Sequence, residues 1–393
     1  GFLVFVFLGL YTLGVGAGGY VAALVYVVVL LGVMLSLWAL LRRESYKAGD
    51  WFLMGGGLLL ALLAKESAVV GLMVVVLAGW LWRREKINTL IGVVGLVVVL
   101  YLSMRVVVGV RIGGAGESLI GEAGLGERML SVFSIWMHYI KSFVFPLKLS
   151  ISEHWVVREW SDVRFWGNGL VLAGLGGAVF WWARKGKRLV FFAGWMMVGF
   201  LLVSQIIPLE MTVADRWMYL PMWGMMGVAG EVGAGIVKGK KTKRVIWWVG
   251  VFLAVVFGVR SWVRLGDWRS GLDLYSQDVK LSRESFELHN NLGVELVREG
   301  RLDEAEESFE KSLAIKGDYR FALNNLGVVY QRQGKVEQAR EMYEKCLQVS
   351  DYWRAWENLA WLRLRQGEVE QMREWIEEGV GKLPGNDDLR VVY

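Results

Sequence analysis

Residues 291–327 read NLGVELVREGRLDEAEESFEKSLAIKGDYRFALNNLG, and the Asn-Leu-Gly triplet that opens this stretch returns 34 residues later at its end. A third version, Asn358-Leu359-Ala360, follows after a further 33 residues. Three more positions keep the same spacing: Gly300, Gly334 and Gly367, then Ala305, Ala339 and Met372, then Phe309, Tyr343 and Ile376. Residues 286–385 therefore hold three copies of one unit, and the third is less regular, as is typical of a terminal repeat.

This period and its pattern of small and large residues resemble the tetratricopeptide repeat, a helix-turn-helix unit. The resemblance implies first helices at about 288–299, 321–333 and 354–366 and second helices at about 302–316, 336–350 and 368–383. We expect a connecting helix within 264–285, a tail at 386–393 and a surface that holds a protein or peptide. The predicted repeat core consists of Asn291, Leu292, Gly293, Ala305, Phe309, Asn325, Leu326, Gly327, Ala339, Tyr343, Asn358 and Leu359.

The chain before the repeats has the opposite charge. Before Arg264 lie 25 of the 44 Lys and Arg residues and 13 of the 38 Asp and Glu residues, which gives this part a net charge of +12. The residues from Arg264 onward have a net charge of −6. The basic residues form short clusters between long apolar runs, as in the cytoplasmic loops of a membrane protein. We therefore predict no nucleic-acid partner, and a membrane domain over residues 1–263 in contact with lipid.

About nine apolar segments of this domain are predicted to cross the membrane, since a span needs roughly 20 apolar residues. An apolar stretch between Trp51 and Trp82 is interrupted by Lys65-Glu66, so we expect two short helices that meet there. The aromatic and lysine-containing segment 131–148 is predicted to lie at the membrane interface. The spans are 2–17, 20–41, 51–64, 67–82, 88–108, 165–183, 189–207, 217–236 and 245–263. The predicted fold class is all-α, a polytopic helical membrane domain followed by an α-solenoid.

The positive-inside rule orients these spans. Four dense basic clusters, at 42–47, 83–86, 184–188 and 238–244, share one side if the segments between them cross as predicted. Lys65-Glu66, the loops 109–164 and 208–216 and the repeats then face the other side. We predict an integral membrane protein with periplasmic repeats in a bacterial inner membrane, and the same topology fits an endoplasmic reticulum membrane with lumenal repeats.

Two polar motifs on this outer side are candidate sites. A charged pair within an apolar stretch is costly unless it is paired, hydrated or at the surface, so Lys65 and Glu66 either bind an anionic ligand or cap a tight hairpin. Asp215 and Arg216 lie at the end of the loop 208–216, and Tyr219 lies at the start of the next span. The planar guanidinium of Arg216 suits a phosphate, although Arg216 paired with Asp215 beside Tyr219 would also suit membrane anchoring.

A weaker candidate for proton transfer is Glu153 with His154. The three histidines lack metal-ligand spacing, and the single cysteine, Cys346, excludes an intramolecular disulfide and a cysteine-based metal site. No cofactor is identifiable from these residues.

Three short segments resemble membrane glycosyltransferases of the multi-span C-type fold that end in tetratricopeptide repeats, namely the O-mannosyltransferases of this type and their bacterial relatives. The segments are Leu63-Ala64-Lys65-Glu66-Ser67, Phe145-Pro146-Leu147 and Ala214-Asp215-Arg216-Trp217-Met218-Tyr219-Leu220-Pro221. The resemblance implies transfer of a sugar from a polyprenyl phosphate to a protein acceptor on the outer face. It places Lys65, Glu66 and Arg216 near that donor, with Arg216 at the lipid phosphate.

The resemblance also exposes a gap. It implies catalytic acidic residues in the first outer loop, but the loop predicted here, Ala17-Gly18-Gly19, contains none. We expect the catalytic residues, and any divalent metal that goes with them, upstream of Gly1. The alternative function is a non-catalytic membrane scaffold whose repeats bind other proteins.

The predicted sidedness has a direct test. Alkaline phosphatase fused after Tyr393 is expected to be active, because the enzyme folds only outside the cytoplasm, whereas fusion after Lys86 should leave it inactive. The measurement is phosphatase activity per fused protein. Activity of the Lys86 fusion alone would invert the topology.

Overall fold

The computed structural model describes residues 20–42, 44–109, 118–146, 150–184, 186–236 and 239–383. The chain divides into two compact units, Gly1–Gly266 and Asp267–Tyr393. Within the described ranges the only β-type pairing is a bridge between Glu153 and Val213, and helices dominate. The predicted all-α class is confirmed. The predicted span 2–17 and the loop 17–19 lie outside the described residues.

Ten helices form the first unit within the described ranges. Short 3-10 turns at Glu66–Ala68 and Arg84–Lys86 precede α3 and α4, and a third at Asp215–Met218 precedes α9. The helices are α1 (Tyr20–Leu41), α2 (Ala48–Ala64), α3 (Val69–Trp82), α4 (Ile87–Val108), α5 (Leu119–Glu122), α6 (Leu125–Val144), α7 (Val163–Ala183), α8 (Lys187–Leu202), α9 (Tyr219–Ile236) and α10 (Lys240–Asp267).

Among the residues that the structure describes, three helical segments are long and apolar enough to cross a membrane, namely Arg84–Val108, Val163–Ala183 and Lys240–Asp267. The segments Val25–Leu41, Ala48–Ala64 and Glu66–Trp82 are apolar but shorter. The chain is therefore that of a membrane protein, while the count of about nine crossings stays a prediction. Helix α6 is not among the candidate spans. It buries one face, which includes Ile135 and Tyr139, and its position at the membrane interface stays a prediction.

Small residues bring α1 and α2 into close contact. A Cβ atom at Gly32 would lie 2.4 Å from the carbonyl oxygen of Gly57, and one at Gly57 would lie 2.6 Å from the hydroxyl of Ser36. The Ser36 hydroxyl also donates to the carbonyl oxygen of Met54 at 2.9 Å. Small residues and interhelical hydrogen bonds are the usual means of helix association in membranes, where lipid removes the hydrophobic driving force. This contact fixes α1 beside α2, which ends at Lys65.

The same principle joins α8 and α9. A Cβ atom at Gly199 would lie 2.8 Å from Cα of Pro221, and one at Gly224 would lie 2.2 Å from the backbone nitrogen of Met196. Helix α8 ends at Leu202, five residues before the predicted end of its span, and the chain turns there into the loop that precedes α9. The start of α9, which carries Tyr219, is therefore held against α8.

The second unit contains seven helices in its described part, which ends at residue 383. Helix α11 (Gly271–Leu281) precedes three helix pairs, and Leu272 packs against the core of the first pair. The observed helices agree with the predicted ones to within two residues. The pairs are α12 (Phe286–Arg298) with α13 (Leu302–Ile315), α14 (Arg320–Arg332) with α15 (Val336–Val349), and α16 (Trp353–Arg365) with α17 (Val369–Lys382).

Glycines in two places explain the repeat pattern. Gly300, Gly334 and Gly367 connect the helices of each pair with φ angles of 75°, 79° and 81°, a left-handed conformation that favours glycine. Gly293 and Gly327 instead allow close packing, since a Cβ atom there would lie 2.6 Å from the Phe309 ring and 2.5 Å from the Tyr343 ring. Both rings are fully buried, as are Ala305, Ala339 and Leu359.

The repeated asparagines form hydrogen bonds between neighbouring repeats. The Asn325 side-chain amide donates to Oδ1 of Asn290 at 3.0 Å, and Asn358 donates to Oδ1 of Asn324 at 2.9 Å. Each bond joins the first helices of neighbouring repeats. The asparagine pairs therefore link one repeat to the next, which the 34-residue period alone did not indicate.

Substitution of Gly327 by alanine is expected to destabilise the repeats by about 1–3 kcal/mol, because the new methyl group overlaps the buried Tyr343 ring. Hydrogen exchange of the full chain should show faster exchange in α14 and α15. Gly381→Ala is the matched control, since no atom lies within 4 Å of its new Cβ position. Equal exchange in the two variants would contradict this packing.

Candidate functional site

The Lys65-Glu66 pair lies where α2 and α3 meet. Lys65 leaves the helix with φ −160° and ψ 138°, an extended conformation that ends α2, and the 3-10 turn Glu66–Ala68 leads into α3. The interruption predicted from the charged pair is therefore present. The Glu66 carboxylate lies 3.9 Å from the guanidinium of Arg105, near the end of α4. The turn between α2 and α3 is thus linked to the end of a third helix.

Tyr26 of α1 lies at the centre of the predicted site residues. Its ring stacks on that of Tyr219, with centroids 4.8 Å apart and planes 10° from parallel, and Nζ of Lys65 lies 5.8 Å from its centroid. Glu66 and Arg216 are close enough for their charges to act on the Tyr26 hydroxyl. We call Tyr26, Lys65, Glu66, Arg105, Arg216 and Tyr219 the Tyr26 cluster. It brings together four of the five predicted donor-binding residues.

Two buried hydroxyl groups belong to this region. Tyr26 is 4% exposed, and its hydroxyl lies beside that of Ser67. Within the described ranges neither hydroxyl has a hydrogen-bond partner of good geometry. Since buried polar groups are nearly always satisfied, a water molecule or ligand group is expected here.

Arg216 is held at the edge of the cluster by weak contacts. Its guanidinium lies 3.8 Å from the exposed Glu210 carboxylate and donates to the carbonyl oxygen of Ile151 at 3.5 Å. Both separations are long for hydrogen bonds, and the side chain is 33% exposed. The guanidinium can therefore turn toward an incoming anion at small cost.

Gln205 shapes the loop that carries these residues. It is fully buried and adopts φ 60°, an uncommon conformation for a residue other than glycine. Its side-chain amide donates to the carbonyl oxygens of Met211 and Thr212 at 2.8 and 2.9 Å, and its oxygen accepts from the backbone of Leu209 at 2.8 Å. These three bonds compensate the strained backbone. They close the loop just before Asp215 and Arg216.

Asp215, the fifth predicted residue, contacts a different partner. Its buried carboxylate lies 3.9 Å from Nε2 of His138, and the Glu153 carboxylate lies 3.8 Å from Nδ1 of the same ring. His138 therefore lies between two acidic side chains from two separate loops. Burial lowers the pKa of His138, but the two carboxylates raise it by more, so the pKa lies above its ordinary value of 6.5.

The two proton-transfer candidates, Glu153 and His154, have different surroundings. The His154 ring is 2% exposed in the interior, whereas Glu153 faces His138. Adjacent side chains of extended backbone point to opposite sides, which explains the difference. The sequence did not single out Tyr26, Arg105, His138 or Gln205. The sequence did contain an indication for Arg105, because an arginine inside an apolar span is a candidate for a functional site.

The residues that the structure describes contain no group of three histidine, cysteine or acidic side chains placed to hold a metal ion. We therefore derive no step through a metal. The repeat unit also offers no such group in its described part, and Cys346 is buried with its thiol directed at the Arg320 carbonyl oxygen.

Comparison with protein families identifies the repeats. Residues 284–351 match one family model described as tetratricopeptide repeat, and residues 324–387 match a second with the same description. The C-terminal array is therefore made of tetratricopeptide repeats, the class expected from its period.

One curated relative matches part of the chain. Protein O-mannosyl-transferase Tmtc3 of Drosophila melanogaster is 27% identical over 138 residues, which are 34% of this chain. The match spans 15% of the length of that relative. Two crystal structures of MamA also show similarity. The first has a TM-score of 0.28 and is 20% identical, and the match covers 31% of this chain and 70% of that structure. The second has a TM-score of 0.27 and is 16% identical, and the match covers 42% of this chain and 81% of that structure.

His138 makes the stability of this region depend on pH. Since its folded pKa is raised above 6.5, the protonated ring adds stability that is complete below 6.5 and is lost as the pH rises through the folded value. The melting temperature of the detergent-solubilised chain should therefore fall as the pH rises from 6.5 through the folded pKa of His138. His138→Gln should flatten this part of the profile.

His289→Gln is the control, because His289 lies in the repeats, where its Nε2 donates to the Arg283 carbonyl oxygen at 3.0 Å. Glu153, Asp215 and Lys141 are the charged groups that act on His138. An unchanged profile in His138→Gln would show that the ring does not titrate between the two carboxylates.

Proposed function

We propose that this chain forms the body of a membrane glycosyltransferase. The Tyr26 cluster would bind the phosphate of a polyprenyl-phosphate sugar, and the repeats would hold the protein that accepts the sugar. The observation that carries this proposal is the convergence of Lys65, Glu66, Arg216 and Tyr219 around Tyr26. The partial similarity to an O-mannosyl-transferase supports the class of reaction.

The lengths of α2 and α3 support a recessed site. At 1.5 Å per residue the 17 residues of α2 reach about 26 Å, and α3 with its 3-10 turn reaches about 27 Å. A bilayer core is about 30 Å thick. If the basic residues before α2 and after α3 lie at the cytoplasmic boundary of the hydrocarbon core, Lys65 and Glu66 lie a few ångströms below its outer boundary. That depth suits the headgroup of a lipid.

The charges of the cluster favour an anion. Lys65, Arg105 and Arg216 face Glu66 and the exposed Glu210, which leaves one positive charge in excess. The nearby carboxylates of Asp215 and Glu153 face His138. A phosphate that displaced Glu210 from Arg216 would replace a long contact with charge-assisted hydrogen bonds, which are among the stronger ones in proteins.

The repeats supply the second half of the proposal. Tetratricopeptide repeats are protein-binding modules, and the predicted topology puts them on the same face as the Tyr26 cluster. A tethered acceptor is present at a high effective concentration, which promotes transfer without new contacts at the site.

A membrane-anchored scaffold is the second candidate function. The observation that favours it is that two family models of a protein-binding repeat match residues 284–351 and 324–387. A scaffold requires the same repeats but no affinity of the Tyr26 cluster for a lipid phosphate. Lipid binding therefore separates the two functions.

Arg216→Ala should weaken the binding of a polyprenyl phosphate to the detergent-solubilised chain by about 10- to 100-fold, because it removes charge-assisted hydrogen bonds worth about 1.5–3 kcal/mol. The affinity of Arg216→Lys should lie between those of the unmodified chain and of Arg216→Ala, since lysine keeps the charge but lacks the planar guanidinium. The measurement is a binding titration with the purified lipid.

Arg164→Ala is the matched control. Arg164 has the same charge and is exposed, but it pairs with Asp162 at the start of α7. Binding unaffected by Arg216→Ala would reduce Arg216 to an interfacial anchor, and absence of binding in the unmodified chain would favour the scaffold.

A further inference from the structure

A histidine flanked by two carboxylates borders the Tyr26 cluster without belonging to it. Nε2 of His138 lies 3.9 Å from the Asp215 carboxylate, and Nδ1 lies 3.8 Å from the Glu153 carboxylate. The His138 side chain is 20% exposed and that of Asp215 only 6%, so water and salt screen their interaction weakly. The charged groups that act on the ring come from three elements, namely Glu153 of the loop before α7, Asp215 of the turn before α9 and Lys141 of α6 itself.

Helix α6 fixes this histidine against the turn that carries Arg216. Tyr139 follows His138 directly and is fully buried. Its hydroxyl donates to the carbonyl oxygen of Ala214 at 3.3 Å and accepts from the Ala214 backbone N–H at 3.2 Å. The charges of Asp215 and Arg216 both act on this hydroxyl, so both lie near the junction of α6 with the turn.

We propose that His138 is a positioning residue for Arg216. In its protonated form it holds the Asp215 carboxylate away from the guanidinium, and in its neutral form it releases this carboxylate to compete with a bound phosphate. This inference rests on the proposed function and adds a control of donor binding by pH. It gives His138 no contact with the lipid.

The charge of this group of three side chains explains the direction of the effect. Two carboxylates and a protonated ring carry a net charge of −1, and the same carboxylates with a neutral ring carry −2. The added negative charge lies beside Arg216 and repels an anion there. A largely buried carboxylate that loses its cationic partner is also costly, so Asp215 gains from pairing with the guanidinium. Both effects weaken phosphate binding as His138 loses its proton.

The test is a binding titration of the detergent-solubilised full chain at a series of pH values. The probe is a polyprenyl methyl phosphate, because a phosphate monoester changes its own charge near about pH 6, whereas this diester keeps a single charge. The two carboxylates raise the pKa of His138 above 6.5, so the affinity should be highest at pH 6.5 and below. Above the folded pKa it should be lower by about 5- to 20-fold, a usual range for two coupled sites.

Two variants are expected to have opposite effects. His138→Gln should bind the probe weakly at every pH, because Asp215 has lost its cationic partner. Asp215→Asn should bind it at high pH at least as tightly as the unmodified chain does at pH 6.5, because an amide does not compete for Arg216. The double variant should regain the affinity of Asp215→Asn, which a loss of folding in His138→Gln would not allow.

Glu153→Gln separates the titration from the binding step. The Glu153 carboxylate raises the pKa of His138, so its removal should move the midpoint of the affinity profile to lower pH. Because coupling is reciprocal, binding of the probe should in turn raise the pKa of His138, followed by the ¹³C signals of labelled histidine. His289→Gln is the matched control, since His289 lies in the repeats and should leave the profile unchanged.

Three outcomes would overturn the positioning role. They are a pH dependence in His138→Gln equal to that of the unmodified chain, weak binding in Asp215→Asn, or weak binding in the double variant. The proposed function survives each of them if Arg216→Ala still weakens binding at every pH. If the unmodified chain binds the probe at no pH, the proposed function fails together with this inference.

Discussion

The arrangement of the membrane unit depends on the need to stabilise the charges of Lys65 and Glu66 inside an apolar segment. An uncompensated charge at membrane depth costs several kcal/mol, so the chain cannot leave these side chains in hydrocarbon. The structure meets this constraint by ending α2 at Lys65 and by bringing Arg105 to Glu66 and Tyr26 to Lys65. Close packing of α1 on α2 through Gly32 and Gly57 holds Tyr26 in place.

In the two loops that carry Glu153 and Asp215, a histidine lies between the acidic side chains. Asp215 and Glu153 would repel each other and an incoming anion, but His138 lies between them. Gln205 supplies three hydrogen bonds that hold its own strained backbone and close the loop before Arg216. The carboxylates of Asp215 and Glu153 thereby face His138, while Arg216 has Glu210 as its acidic neighbour.

Much of this architecture could be predicted from the sequence, because it depends on local periodicity. The repeat period located the helix pairs to within two residues, and the left-handed Gly300, Gly334 and Gly367 confirm that the glycines mark turns. The interruption at Lys65-Glu66 was predicted from charge alone. The spacing of Asn325 and Asn358 was visible too, but not their bonds to the preceding repeat, since such bonds depend on how repeats stack.

The sequence by itself determined the all-α class, the repeats and the polar motifs, because helix periodicity, turn chemistry and the cost of charge in lipid act between near neighbours in the chain. Only the tertiary structure decided which motifs meet. Tyr26 joins Lys65 and Tyr219 across almost two hundred residues, and Asp215 turns away from Arg216 toward His138. Contacts between distant segments depend on how side chains pack across helices, and the spacing of residues along the sequence does not predict them.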